Sequence, residues 1–118
     1  LTLSHMYDNM GLMKIIRIHK SVINDMMKLD FRLKIRISEL LDLLAAGESL
    51  GMPVSRPMPE IETSVHELRI KDGSGQYRIF YYTKLKDSIV VFHLFKKKTQ
   101  TTAKREIATA KKRLKGMI

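Results

Sequence analysis

With 118 residues and 44% hydrophobic content, the chain is long enough to bury a real core and is expected to form one domain. It contains no Cys, which excludes a disulfide framework, a thiol nucleophile and cysteine metal sites. The net charge of +10 is segregated: residues 1–65 hold 8 Lys/Arg and 8 Asp/Glu, whereas residues 66–118 hold 14 and 4, so the second half carries the whole excess and points to a polyanionic partner.

No apolar run approaches the roughly 18 residues of a membrane span, so a cytoplasmic chain with no membrane partner is expected. Residues 1–12 lack the basic region and apolar core of a secretory signal. Ser4-His5-Met6 resembles the remnant of an expression tag, and Met6, Met10 and Met13 are candidate natural starts. We therefore expect a disordered or vector-derived N-terminus over 1–12 and a single domain over 13–118.

Lys14-Ile-Ile-Arg-Ile18 is short and β-branched and predicts a first strand. Ser21 is a candidate cap for a short helix from Val22 to about Lys28. Asp30 is the next candidate cap, and behind it Leu33, Ile37, Leu40, Leu41 and Leu44 recur at helical spacing until Gly47. These two helices predict a hairpin laid over one face of a sheet, with balanced charges and a structural role. Gly51, Pro53, Pro57 and Pro59 predict a loop over 48–62.

Two strands, Val65 to Lys71 and Gln76 to Thr83, flank the turn Asp72-Gly-Ser-Gly75. A two-residue or a four-residue turn gives the same register, with Arg69 opposite Arg78 on one face. Opposed like charges destabilise a strand pair, so this arrangement points to an anion between them. The plainer alternative is a nearby carboxylate, for which Glu67 is the candidate. A third strand, Ser88 to Lys96, follows. A two-residue turn near Lys86-Asp87 would set His93 opposite Phe80 on the Arg78 face; a three-residue turn would set it opposite Tyr81 on the other. One threonine of Thr99-Gln-Thr-Thr102 is expected to cap a last helix to about Lys115. Its seam is Ala103, Ile107, Ala110 and Leu114, and its remaining surface is basic. The fold class is thus α+β: an N-terminal strand and helical hairpin packed on an antiparallel sheet of about four strands, with a C-terminal basic helix.

His5, His19, His66 and His93 are scattered without paired ligand spacing, and no serine-triad signature is present, so neither a metal nor a cofactor is expected. What remains is a set of Arg, Lys, Tyr and His suited to cutting an RNA backbone. Arg69 and Arg78 can clamp the phosphate and its developing charge. His93 can serve as acid or base at neutral pH, although a lone histidine in an apolar strand is more often a core residue. A lysine crowded by cations can act as a base, with Lys96 the catalytic candidate and simple phosphate binding by Lys96–Lys98 the plainer alternative. Tyr82, on the Arg78 face, is a candidate to stack on an unpaired base, whereas Tyr77 and Tyr81 belong to the core. Lys71, Lys97, Lys98, Lys104 and Arg105 are candidate RNA phosphate contacts.

Five segments in order resemble one family: Leu50-Gly-Met-Pro53, Glu67-Leu-Arg69, Tyr77-Arg-Ile-Phe-Tyr81, Phe92-His-Leu-Phe-Lys-Lys-Lys-Thr99 and Glu106-Ile-Ala-Thr-Ala-Lys-Lys-Arg113. Over residues 14 to 115 the chain resembles the phage-derived HigB-like branch of the RelE/ParE toxin superfamily. The resemblance implies a RelE-like fold and the toxin half of a type II toxin–antitoxin pair. It further implies an mRNA endoribonuclease acting on the ribosome, neutralised by an antitoxin, in this branch usually with a helix-turn-helix domain. It places general acid and base candidates at the end of the third strand, at His93 and Lys96–Lys98. Ala103 and Leu94 stand where the family often has Pro and Gly, and Leu94 is expected to put bulk beside His93. ParE-like relatives poison DNA gyrase instead and cut no RNA; a nucleic-acid-binding module without catalysis is the third alternative.

Overall fold

The computed structural model describes residues 13–118, and the reading of residues 1–12 lies outside them. Its elements are β1 (Ile15–Ile18), α1 (Lys20–Met27), α2 (Phe31–Ala45), β2 (Ser55–Pro57), β3 (Val65–Asp72), β4 (Gly75–Tyr82), β5 (Ser88–Lys97) and α3 (Lys104–Met117). The architecture is the expected α+β one, but the sheet has five strands in the order β1-β5-β4-β3-β2. β1 joins β5 in parallel, and the other pairs are antiparallel. Parallel neighbours need a long crossover, which the intervening helices and strands supply. The segment expected to be all loop contributes β2, a short edge strand.

Local capping departs from expectation twice. His19, not Ser21, caps α1: its Nδ1 accepts from the Ser21 amide at 3.0 Å. No threonine caps α3, which begins after Ala103 without a side-chain cap bond. Asp30 does cap α2, accepting from the Arg32 amide at 2.8 Å, and Gly47 follows its end at φ +90°, a conformation that favours glycine.

The sheet is covered on both faces. Leu33, Ile37, Leu40, Leu41 and Leu44 of α2 bury themselves against Leu68, Ile70, Tyr77, Ile79, Tyr81, Val91 and Leu94. On the other face Ala110 and Leu114 of α3 cover Val65, Phe80, Tyr82, Val90 and Phe92. This double cover explains why β4 and β5 read as near-continuous apolar runs.

Two local devices set the register. Asp72 Oδ1 accepts from the Ser74 amide at 2.8 Å, the Ser74 hydroxyl at 2.7 Å and the Gly75 amide at 3.2 Å, which pins the turn. Arg69 is therefore opposite Arg78, as the turn chemistry requires. Between β4 and β5, Tyr82 pairs with Val90 and Tyr81 with Val91, but Phe80 pairs with His93. Phe92 is the extra residue of a bulge. Continued unbroken, the first register would set His93 opposite Ile79, on the α2 face. The bulge turns it to the Arg78 face.

Candidate functional site

The ladders align polar side chains in rows across the sheet face that also carries α3. Arg56, Glu67, Phe80 and His93 form one row. Arg69, Arg78 and Phe95 form the next, and Lys71, Gln76 and Lys97 a third. One end of this face is an open groove of about 690 Å³, lined by Arg69, Gly75, Gln76, Arg78, Lys97, Lys98, Thr99 and Gln100.

Glu67 lies at the base of this cluster, only 1% exposed. Its Oε1 is 3.6 Å from Arg56 Nε, 3.9 Å from Arg69 Nε and 3.6 Å from Arg78 Nε. These separations exceed the ~2.8 Å of a charge-assisted hydrogen bond, so the group is held by charge. Glu67 Oε2 and Arg78 Nε have no hydrogen-bond partner. The Arg78 guanidinium is oriented by Gln76 Oε1, which accepts from Nη2 at 3.0 Å, and by the Tyr77 carbonyl, which accepts from Nη1 at 3.2 Å. One carboxylate among three guanidiniums leaves the cluster strongly cationic. Burial, then Arg78, pushes the Lys97 ammonium below the ordinary lysine value; Glu67 opposes this, and Arg69 and Arg56 add to it. Burial is also the main cause of the lowered Arg78 pKa, with Glu67 opposing. A groove of this kind can take a phosphate, and its lysine gives up a proton more readily than an ordinary lysine.

A second polar cluster sits on the same face beneath α3. His93 Nε2 is 2.8 Å from Glu106 Oε1, and His93 Nδ1 is 2.9 Å from Arg113 Nη1. A guanidinium only donates, so Nδ1 accepts, and Nε2 carries the hydrogen and donates it in a hydrogen bond to Glu106 Oε1. Burial holds the His93 pKa below its ordinary value; Glu106 opposes and Arg113 reinforces the shift. Phe80 and Phe95 stand against the ring, with centroids 5.7 and 5.4 Å away.

The structure thus brings Arg69, Arg78, Lys97 and Lys98 into one groove and leaves other candidates out of it. His93 is not on the groove wall; like Arg78 it is buried, 4% against 3% exposed, but its two ring nitrogens are both taken by α3. Lys96 lies on the opposite face, its Nζ 5.9 Å from the Tyr77 ring centroid, because neighbouring strand residues alternate. Tyr82 is 6% exposed in the core under α3 and offers no stacking surface. Lys71 is exposed on a separate cleft of about 370 Å³ beside Asp30, Arg32 and Arg36. Lys104 and Arg105 begin α3 as exposed side chains, and Arg105 shares a small adjoining cleft with Lys97 and Lys98. Leu94 packs in the α2-side core, so its bulk lies across the sheet from His93.

Sequence reasoning missed Arg56, Gln76, Glu106 and Arg113. Arg56 has no local signal, since Ser55-Arg-Pro57 reads as loop. Arg113 did have one: with Glu106 and Ala110 it falls on the buried seam at helical spacing, although it reads as one more solvated cation. Among the described residues no group of three or more His, Cys, Asp or Glu is placed to hold a metal.

Residues 24–115 match the model of the family described as phage-derived protein Gp49-like. Among solved structures, a mutant of the E. coli toxin RelE in the free state is similar over 90% of this chain and 99% of that one, with a TM-score of 0.51 and 16% identity. At that identity the likeness is one of fold. No curated protein matches the chain.

Proposed function

The chain belongs to the phage-derived Gp49-like family and has a RelE-like fold, and from that premise we propose that it is the toxin of a type II toxin–antitoxin pair, of the HigB-like branch, acting as a metal-independent endoribonuclease. In this reading residues 13–118 form one toxin domain that cuts mRNA on the ribosome in the cytoplasm. A cognate antitoxin, of the helix-turn-helix type, holds it inactive. The observation that carries the reading is the groove in which Arg69, Arg78, Lys97 and Lys98 converge.

The chemistry follows from the groove. Arg69 and Arg78 grip the non-bridging oxygens of the scissile phosphate and stabilise the charge that builds on them. Lys97, with its pKa pushed down by burial and Arg78, takes the proton of the 2′-hydroxyl. The 2′-oxygen then attacks phosphorus and the bond to the 5′-oxygen breaks. The leaving oxygen takes a proton, for which Lys98 on the same groove has ammonium donors. The products are a 2′,3′-cyclic phosphate and a 5′-hydroxyl.

Inducing the chain in bacteria and mapping mRNA 5′ ends tests the proposal. Growth arrest with codon-phased cuts is expected, and the double variant Arg69→Ala/Arg78→Ala should relieve both. Arrest with intact mRNA and DNA-damage signalling would replace this reading with gyrase inhibition. Salt-sensitive RNA binding without arrest would reduce it to a binding module.

A further inference from the structure

We propose that Glu67 is a positioning residue of the groove: its buried carboxylate gathers Arg56, Arg69 and Arg78 by their Nε edges, so that Arg69 and Arg78 meet a phosphate as a preset clamp. The inference rests on reading the groove as an RNA phosphate site and assigns the device that builds it.

The sheet register makes Glu67 the meeting point. It is the cross-strand partner of Arg56, the diagonal neighbour of Arg78, and two residues before Arg69 on its own strand. Among the described residues it is the one carboxylate paired with these arginines. All three approach the same oxygen, Oε1, through the same atom type, Nε. Three guanidiniums this close repel one another, and a single negative charge at their centre turns mutual repulsion into attraction toward one point. Both Arg69 and Arg78 line the groove. Arg69 is a third exposed, whereas Arg78 lies behind it, 4% exposed, with Nη1 and Nη2 donating to the Tyr77 carbonyl and Gln76 Oε1.

Glu67 is poorly placed to act as the base. At 1% exposure and enclosed by guanidiniums, it has no path to a substrate proton. Nor is the cluster a saturated ion-pair network, because Glu67 Oε2 and Arg78 Nε are buried without hydrogen-bond partners. Buried polar atoms left unpaired weaken a fold, so stability alone does not account for the arrangement.

The test compares Glu67→Gln and Glu67→Asp with the wild-type chain. With a cleavable RNA, Glu67→Gln should lower kcat about 100-fold, the order expected of an ångström-scale misplacement. Its KM should stay level or fall, since the groove has lost a negative charge. The rising limb of kcat against pH should move to lower pH, because Lys97 loses the carboxylate that favours its ammonium. Glu67→Asp keeps the charge and should recover part of kcat. Two readouts need no cleavage: the chemical shifts of the arginine Nε–H groups by NMR, and binding of inorganic phosphate. Collapse of the Arg56, Arg69 and Arg78 Nε–H signals together to the position of a free arginine in Glu67→Gln, with phosphate still bound, supports the role. If those signals are unchanged, the carboxylate does not hold the clamp, whatever the cleavage assay gives. Equal loss of melting temperature and phosphate binding in both variants would make Glu67 a folding residue and overturn the proposal. If the signals collapse while the wild-type chain cuts no RNA, the positioning role stands and the ribonuclease reading fails.

Discussion

Two polar clusters share one face of the sheet, and they are built oppositely. The closed cluster, Glu106–His93–Arg113, is capped by α3 and joined by bonds of 2.8 and 2.9 Å. The open cluster, Arg56–Glu67–Arg69–Arg78, is held at 3.6 to 3.9 Å and keeps buried atoms without partners. Phe80 and Phe95 stand where the two meet: Phe80 is opposite both Glu67 and His93, and Phe95 is opposite Arg78. Similar residue types therefore serve two ends. A fully satisfied triad fastens a helix to a sheet, whereas an under-satisfied cationic cluster open to a groove is poised for an anion.

The largest expected effect separates the clusters by chemistry. Lys97→Met should reduce RNA cleavage about 1,000-fold, within the range for losing a general base, while stability changes by about 0.5 kcal/mol or less. Substantial residual cleavage at every pH would remove Lys97 from the mechanism. His93→Ala should do the reverse. Leaving Glu106 and Arg113 without their partner, and a space in the packing, costs about 3 kcal/mol in a urea melt. Cleavage per folded molecule should hold; a thousandfold loss there would join the two clusters into one site.

A smaller effect comes from acid. The His93 pKa is lowered in the folded state, so the unfolded chain binds more protons below about pH 6.5. The stability this histidine contributes is fully present above that pH and is lost as pH falls toward its folded pKa. The slope is at most about 1.4 kcal/mol per pH unit for one proton. Urea melts at a series of pH values should show a shallower acid loss in His93→Gln than in the wild-type chain; parallel curves would place the titration elsewhere, with buried-shifted His66 or His19 next in line. The smallest effect belongs to Lys96→Met. It removes a cation 5.9 Å above Tyr77, worth about 0.5 kcal/mol at an exposed position, and should leave cleavage untouched. An effect on cleavage as large as that of Lys97→Met would mean that strand alternation does not divide these neighbours.

Much of the fold was legible before the structure, and the reason differs by element. The α2 seam was readable because Leu33, Ile37, Leu40, Leu41 and Leu44 follow the helical repeat and all are buried. Arg69 facing Arg78 was readable because the turn between them is short and chemically explicit. The site was only half readable. Arg69, Arg78, Lys97 and Lys98 were named and line one groove, whereas Lys96, named as a catalytic candidate, lies on the other face of the strand. Tyr82 was offered as a ligand contact because nothing local shows that α3 covers it.

The sequence by itself determined what is decided within about ten residues: the apolar faces of the helices, the Asp72–Gly75 turn and the register it imposes, and the crowding of positive charge into the second half. Tertiary structure alone decided which face His93 and Lys96 occupy. Both depend on a strand pairing reached through a longer loop and then shifted by the Phe92 bulge. It alone brought Arg56 to Glu67, through an edge strand that exists only because β3 offers its hydrogen-bonding groups. It also turned Glu106 and Arg113 inward, since a helix has no inner face until the sheet it covers is in place.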